Sequence, residues 1–185
     1  GSNGFRFIRQ FNEYGLKGKM AIVGGMTALD EAVLKNMGNE ALGIETACWY
    51  SAELSNPINN KFSPAFRAAN KYDPGFYAAS TFVNAAILDT ALKAVGGNAS
   101  NRDGLMAALR KTNIPTARGP VSFDSYGNIV GDVFIRKVER KDGRLVNTVT
   151  KTYTNVSQFW TYEPKAFLAN PVYSRDYPPA RNIES

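Results

Sequence analysis

Apolar positions recur with a helical period at the start of the chain. Phe7, Ile8, Phe11 and Tyr14 share one face, after Asn3 as a candidate N-cap and before Gly15 as a stop. The stretch "KMAIVGG" then predicts a short buried strand ending in Gly24 and Gly25. Thr27-x-x-Asp30 has the form of a capping box and predicts a second helix, with Leu29, Val33, Leu34 and Met37 facing inward until Gly38 ends it. A second strand follows in "GIETACWY". Helix, strand, helix, strand is the cadence of a parallel sheet with crossover helices.

After Trp49 the cadence fails. Residues 60–71 place Phe62, Ala65, Phe66 and Ala69 on one face, 76–95 are apolar on nearly every side, and Leu105, Ala108 and Leu109 mark another helix, with no strand between them. Next come "GPVSFD", a turn at "SYGN", two strands joined at Asp142-Gly143, and a loop-rich tail carrying Pro164, Pro171, Pro178 and Pro179. A parallel sheet is buried on both faces, so two or three strands cannot satisfy this set of helices. The 185 residues are therefore expected to be part of something larger and to fold only with strands from a missing half.

Composition narrows the chemistry. Hydrophobic content of 44% with 21% charged residues is that of a globular chain. The longest mostly apolar stretch, 78–95, is interrupted by Ser80, Thr81, Asn84, Asp89, Thr90 and Lys93 and predicts no membrane span. The first residues lack the charged and apolar blocks of a secretory leader, which a mature or truncated chain would also lack. Histidine is absent, which removes Ser-His-Asp and Cys-His machinery and His-based zinc sites. Cys48 is the single cysteine, and its place in an apparent strand predicts a buried, inert thiol. Acidic residues are scattered among caps, turns and helix faces, and Gly24-Gly25 alone makes no phosphate loop, so neither an enzyme nor a metal or cofactor is expected.

The net charge is +6. Its densest cluster, Arg136, Lys137, Arg140, Lys141 and Arg144, surrounds the Asp142-Gly143 turn and predicts the solvated surface of a ribbon. No aromatic residue interleaves with it as a nucleic-acid platform would require, and no nucleic-acid partner is expected.

Five segments in this order, "FRFIRQFNEYGLKGK", the strand into "GG", "WYSAELSNPINNKF", "DPGFYAASTFVNAAILDTALKAVGG" and "TARGPVSFDSYGNIVGDVFIRKV", resemble the C-terminal half of type I periplasmic solute-binding proteins of ABC importers, of the branched-chain-amino-acid-binding kind. The resemblance implies an α/β, two-lobed flytrap fold of which this chain holds incomplete parallel sheets with flanking helices. It assigns 1–48 to the C-terminal lobe, 49–51 to a hinge, 52–128 to the N-terminal lobe and 129–160 to a hairpin returning to the C-terminal lobe, and 161–185 are the loop-rich tail read from the prolines.

The same resemblance places Trp49 and Tyr50 where the strand leaves one lobe for the other, as pocket lining or as an interface plug. Tyr77 matches a family position where an aromatic side chain often touches ligand, with helix core as the alternative. Ser2 and Asn3 fall in a loop that carries ligand contacts. At "VGGMTALD", amino-acid-binding members carry an acidic residue after the strand to meet the ligand's ammonium, whereas Met26 and then Thr27 stand here. A buried ammonium without a counter-charge costs several kcal/mol, and methionine offers a polarizable surface to a ring instead. Asp30 and Glu31 downstream are read as helix-start residues.

The resemblance thus implies a periplasmic solute-binding component that captures a small aromatic carboxylate of benzoate or phenylpropenoate type. Its partners would be that ligand, the missing N-terminal half and the importer's membrane subunits. The alternatives are a branched-chain or other amino-acid or amide binder, and a sensory ligand-binding receptor domain.

Overall fold

A computed structural model describes residues 2–170; Pro171, Pro178 and Pro179 of the anticipated tail lie outside them. The elements run α1 (Ser2–Glu13), β1 (Val23–Gly24), α2 (Glu31–Leu34), a 3-10 turn (Asn39–Ala41), β2 (Glu45–Cys48), α3 (Asn59–Asn70), α4 (Phe76–Ala94), α5 (Arg102–Arg110), β3 (Asn113–Thr116), β4 (Gly119–Phe123), β5 (Ile129–Lys141), β6 (Arg144–Val156) and α6 (Pro164–Leu168).

One six-stranded sheet joins them in the order β1-β2-β5-β4-β3, with β6 on the other edge of β5. Only β1 and β2 are parallel, across the α2 crossover; the remaining pairs are antiparallel. The sheet is mixed because the long hairpin supplies most of it. β4 and β2 lie end to end along β5: Gly131 faces Val121, and three residues on Phe134 faces Cys48. β6 accompanies β5 from Gly131 to Lys141, with irregular steps between Gly131 and Val133 and between Ile135 and Arg136. Asp142 and Gly143, at φ 50° and 77°, make the tight turn that their sequence predicts.

Three apolar clusters follow this axis. Ile8, Leu29, Leu34, Ala41, Ile44 and Val138 pack at one end; Cys48, Tyr50, Ala52, Phe76, Ala79 and Ala117 pack in the middle; Val83, Ile87 and Val121 pack at the other end. α4 supplies the last two through a single stripe, Phe76, Ala79, Val83, Ile87 and Ala91, and leaves Phe82 and Leu88 exposed.

Several expectations are corrected here. Ser2 and Asn3 lie in the first turn of α1, not in a loop, and Asn3 is exposed. Of the α1 face only Ile8 is buried; Phe7 and Tyr14 are 57% and 79% exposed because no described element covers them. β1 is a two-residue edge strand with Val23 77% exposed, having a partner on one side only. α2 is one turn long and is capped by Asp30, which accepts from Ala32 N at 3.3 Å, rather than by Thr27. In α3 it is Asn59 and Ser63 that face inward, while Ala65 and Ala69 are exposed. Pro164 opens α6 at a position that needs no backbone N–H, and is no loop residue. The basic ribbon is not uniformly solvated, since Arg136 is wholly buried.

Candidate functional site

β2 alternates exposed and buried residues up to Cys48, and the chain then leaves the sheet through Trp49, Tyr50 and Ser51. The two rings diverge there. Tyr50 is fully buried, its hydroxyl donating to Asn59 Oδ1 at 2.8 Å, while Asn59 Nδ2 donates to Ala52 and Leu54 carbonyls at 3.1 and 2.8 Å. Burial raises the Tyr50 phenol far above its ordinary range, so it stays a donor. Trp49 is half-buried, 6.3 Å from the Tyr50 ring and edge-on to Phe76 at 6.1 Å. The Arg118 guanidinium lies against the indole, 4.5 Å from its centroid.

Met26 is half-buried and packs against the same cluster as Trp49, whereas Thr27 is exposed beside it. A side chain at Gly4 would sit 3.4 Å from Ala28 O, so the first turn of α1, with Ser2 and Asn3, lies against the turn that carries Met26 and Thr27. Tyr77, 70% exposed at the start of α4, packs on Phe76 with centroids 4.1 Å apart. Met26, Trp49, Phe76, Tyr77 and Arg118 are thus gathered from four separate stretches of chain, and Tyr50 forms the packing beneath.

The nearby acids are already engaged. Asp30 is buried, with Oδ1 accepting from Phe76 N at 2.9 Å and Oδ2 from Ala32 N at 3.3 Å. Glu31 is buried, 3.6 Å from Arg136 Nη1, and its Oε1 accepts from Ala52 N at 3.3 Å. Arg136 also donates to Tyr50 O at 2.7 Å and Thr46 Oγ1 at 3.1 Å, so it braces the segment that holds the two rings. Burial pushes the Glu31 carboxyl up to about 7 against the opposing pull of Arg136. Among the described residues no cluster of three or more His, Cys, Asp or Glu could hold a metal, and no helix is long and apolar enough to cross a membrane.

Arg118, Phe76 and the double engagement of Asp30 escaped the sequence reading. Arg118 had a signal: a lone cation between two strand-forming runs, flanked by the small residues Ala117 and Gly119.

The chain is a member of the periplasmic binding protein family, whose sequence model matches residues 1–144. A solute-binding protein of an ABC transporter from Rhodopseudomonas palustris BisB5, solved in complex with 3,4-dihydroxybenzoic acid, is 35% identical, with a TM-score of 0.77 over 83% of this chain and 43% of that one. A solute-binding protein from R. palustris in complex with benzoate is 29% identical, with a TM-score of 0.71 over 80% and 40%. The Leu/Ile/Val-binding protein homolog 6 of Brucella abortus is 26% identical over 83% of this chain and 40% of its own. The chain spans less than half the length of each of these relatives.

Proposed function

We propose that this chain is part of a periplasmic solute-binding component of an ABC importer, and that the whole protein captures a small aromatic carboxylate. The observation that carries this reading is the commitment of every acid near Met26. Among the described residues, Asp30 is spent on two backbone N–H groups and Glu31 is buried against Arg136, so neither of the two acids nearest Met26 is presented to an α-ammonium. An unpaired buried charge costs several kcal/mol, which weighs against an amino acid and not against an arene carboxylate. Two relatives solved with hydroxylated or plain benzoates agree with this reading.

In this proposal residues 1–48 belong to the C-terminal lobe, 52–128 to the N-terminal lobe and 129–160 to the returning hairpin, with 49–51 as a hinge. The end-to-end placement of β2 and β4 along β5 supports a crossing at that level. Trp49, Met26, Thr27 and Tyr77 face the ligand, Ser2 and Asn3 flank it from α1, and Tyr50 supports Trp49 from below. The missing half closes over the site, and the importer's membrane subunits receive the closed form. The function is recognition without chemistry.

A Leu/Ile/Val-binding relative favours one second reading, an aliphatic amino-acid binder. Calorimetric titration of the two-lobed protein with benzoate, coumarate, phenylalanine and leucine decides between them. Arene carboxylates are expected to bind more than about a hundredfold tighter than the amino acids. Replacing Trp49 by Ala should weaken the aromatic ligands by about 1–3 kcal/mol. Tight leucine binding with no response to the aromatic acids overturns the proposal.

A further inference from the structure

Two arginines are almost completely enclosed, and the fold treats them differently. Arg136 has Glu31 at 3.6 Å and hydrogen bonds to Thr46 and Tyr50. Arg118, 5% exposed, makes no ion pair within 4 Å among the described residues, and the acid that acts on it from farther off is Asp132. Its guanidinium makes one hydrogen bond, Nη2 to Asp132 O at 3.1 Å, and its Nε is buried with no partner. A desolvated guanidinium with donors unspent is a high-energy group unless an anion meets it. Burial brings its pKa down only to about 10, so it remains a cation at neutral pH.

The group is also held still. Arg118 N donates to Thr116 Oγ1 at 3.2 Å, and that hydroxyl donates to Gly119 O at 2.7 Å, which sets the bend between β3 and β4. The Trp49 indole covers the guanidinium at 4.5 Å, and Gly131 of β5 lies so close that a Cβ there would stand 3.3 Å from Nη2 and 3.1 Å from Pro120 O. A planar cation fixed in this way loses little entropy when it takes up a carboxylate.

We infer that Arg118 is the anion anchor of the binding site, donating to the carboxylate of the ligand beside the Trp49 indole. The inference rests on the aromatic-carboxylate reading above and supplies what that reading lacked, a positive charge on this half of the molecule. Together with the engaged acids near Met26, it makes the site select for an anion carrying no neighbouring ammonium. The competing account is that Asp132, or an acid from the other half of the protein, serves as the counter-charge of Arg118.

The test is calorimetric titration of the two-lobed protein with benzoate and with benzamide, a neutral ligand of the same shape, for the wild type, Arg118→Met and Arg118→Lys. In the wild type, benzoate should bind more tightly than benzamide. In Arg118→Met, benzoate should weaken by about a hundredfold or more while benzamide changes by less than about threefold. Arg118→Lys keeps the charge and serves if the Met variant does not fold; it should weaken benzoate by about tenfold and leave benzamide unchanged. An equal loss for both ligands, or no loss for either, in whichever variant folds overturns the assignment and leaves Arg118 paired within the protein. Absence of benzoate binding by the wild type instead overturns the functional reading, and the anchor falls with it.

Discussion

The carboxylate of Asp30 accepts from the backbone N–H of Phe76 at 2.9 Å, across 46 positions of sequence, while also capping α2. A single side chain therefore closes two helix starts and fixes the turn carrying Met26 relative to the ring pair of Phe76 and Tyr77. Gly75 is what allows the approach, because a Cβ there would lie 2.0 Å from Asp30 Oδ2. Gly75→Ala should destabilise the protein by about 1–3 kcal/mol. Denaturant unfolding reads this directly, and an unchanged midpoint would mean that the turn yields without cost.

Tyr50→Phe separates support from contact. Loss of the hydroxyl leaves Asn59 Oδ1 buried without its donor and should cost about 1–3 kcal/mol of stability. Affinity for ligand should stay within about twofold of the wild type, a negligible change on the binding scale. A large loss of affinity with unchanged stability would mean that the Tyr50 hydroxyl contacts the ligand instead of Asn59.

Glu31 predicts a pH dependence with a definite sign. Its folded value of about 7 stands above the ordinary 4.5, so the folded state holds the proton more tightly than the unfolded state. The contribution is fully present below the unfolded value and is lost as pH rises through about 7. Unfolding free energy should therefore fall between about pH 5 and pH 8 in the wild type. Glu31→Gln should flatten that window. The amide also offers a donor where Glu31 Oε2 and Asn147 Oδ1 are now both buried without partners. A wild-type profile already flat across the window would show that Arg136 keeps Glu31 ionised.

Cys48 is 2% exposed, and burial raises its thiol above the ordinary value. The low exposure keeps reagents out, and the raised value suppresses the thiolate. Maleimide labelling of the native protein should be slower than labelling in denaturant by at least about a hundredfold, the scale set by the opening equilibrium of a core strand. Labelling at comparable rates would indicate that β2 opens readily.

The parts of the fold that rest on local chemistry were legible. Asp142-Gly143 specifies its turn through backbone torsions, and the α4 segment announces its helix by length and composition. Features that depend on distant neighbours were not. β3 was hidden by Pro115, which argues against a strand; it is tolerated at the sheet edge opposite Pro120. Val23 reads as core because it is apolar, yet its covering layer is not among the described residues. Arg136 was misread as surface through its neighbours Arg140 and Lys141, although the two-residue period places it on the same face as Phe134 and Val138, both buried. At the site, Met26 and Trp49 were singled out from a resemblance, while Arg118 and Phe76 emerge only when β3, β4 and α4 are brought beside the end of β2.

The two ends of the sheet are joined through β5 without a slack connection, since β6 stays hydrogen-bonded alongside while the other neighbour changes from β4 to β2. Rotation of one end against the other must wind this two-stranded ribbon, and a ladder of hydrogen bonds resists torsion with a restoring torque. The irregular step at Gly131/Val133 falls where the neighbour changes from β4 to β2, the one at Ile135/Arg136 lies within the stretch paired with β2, and bulges are where a ribbon twists at least cost. Were the two ends to turn against each other, the hairpin would act as a torsion spring that yields first at the step between Gly131 and Val133.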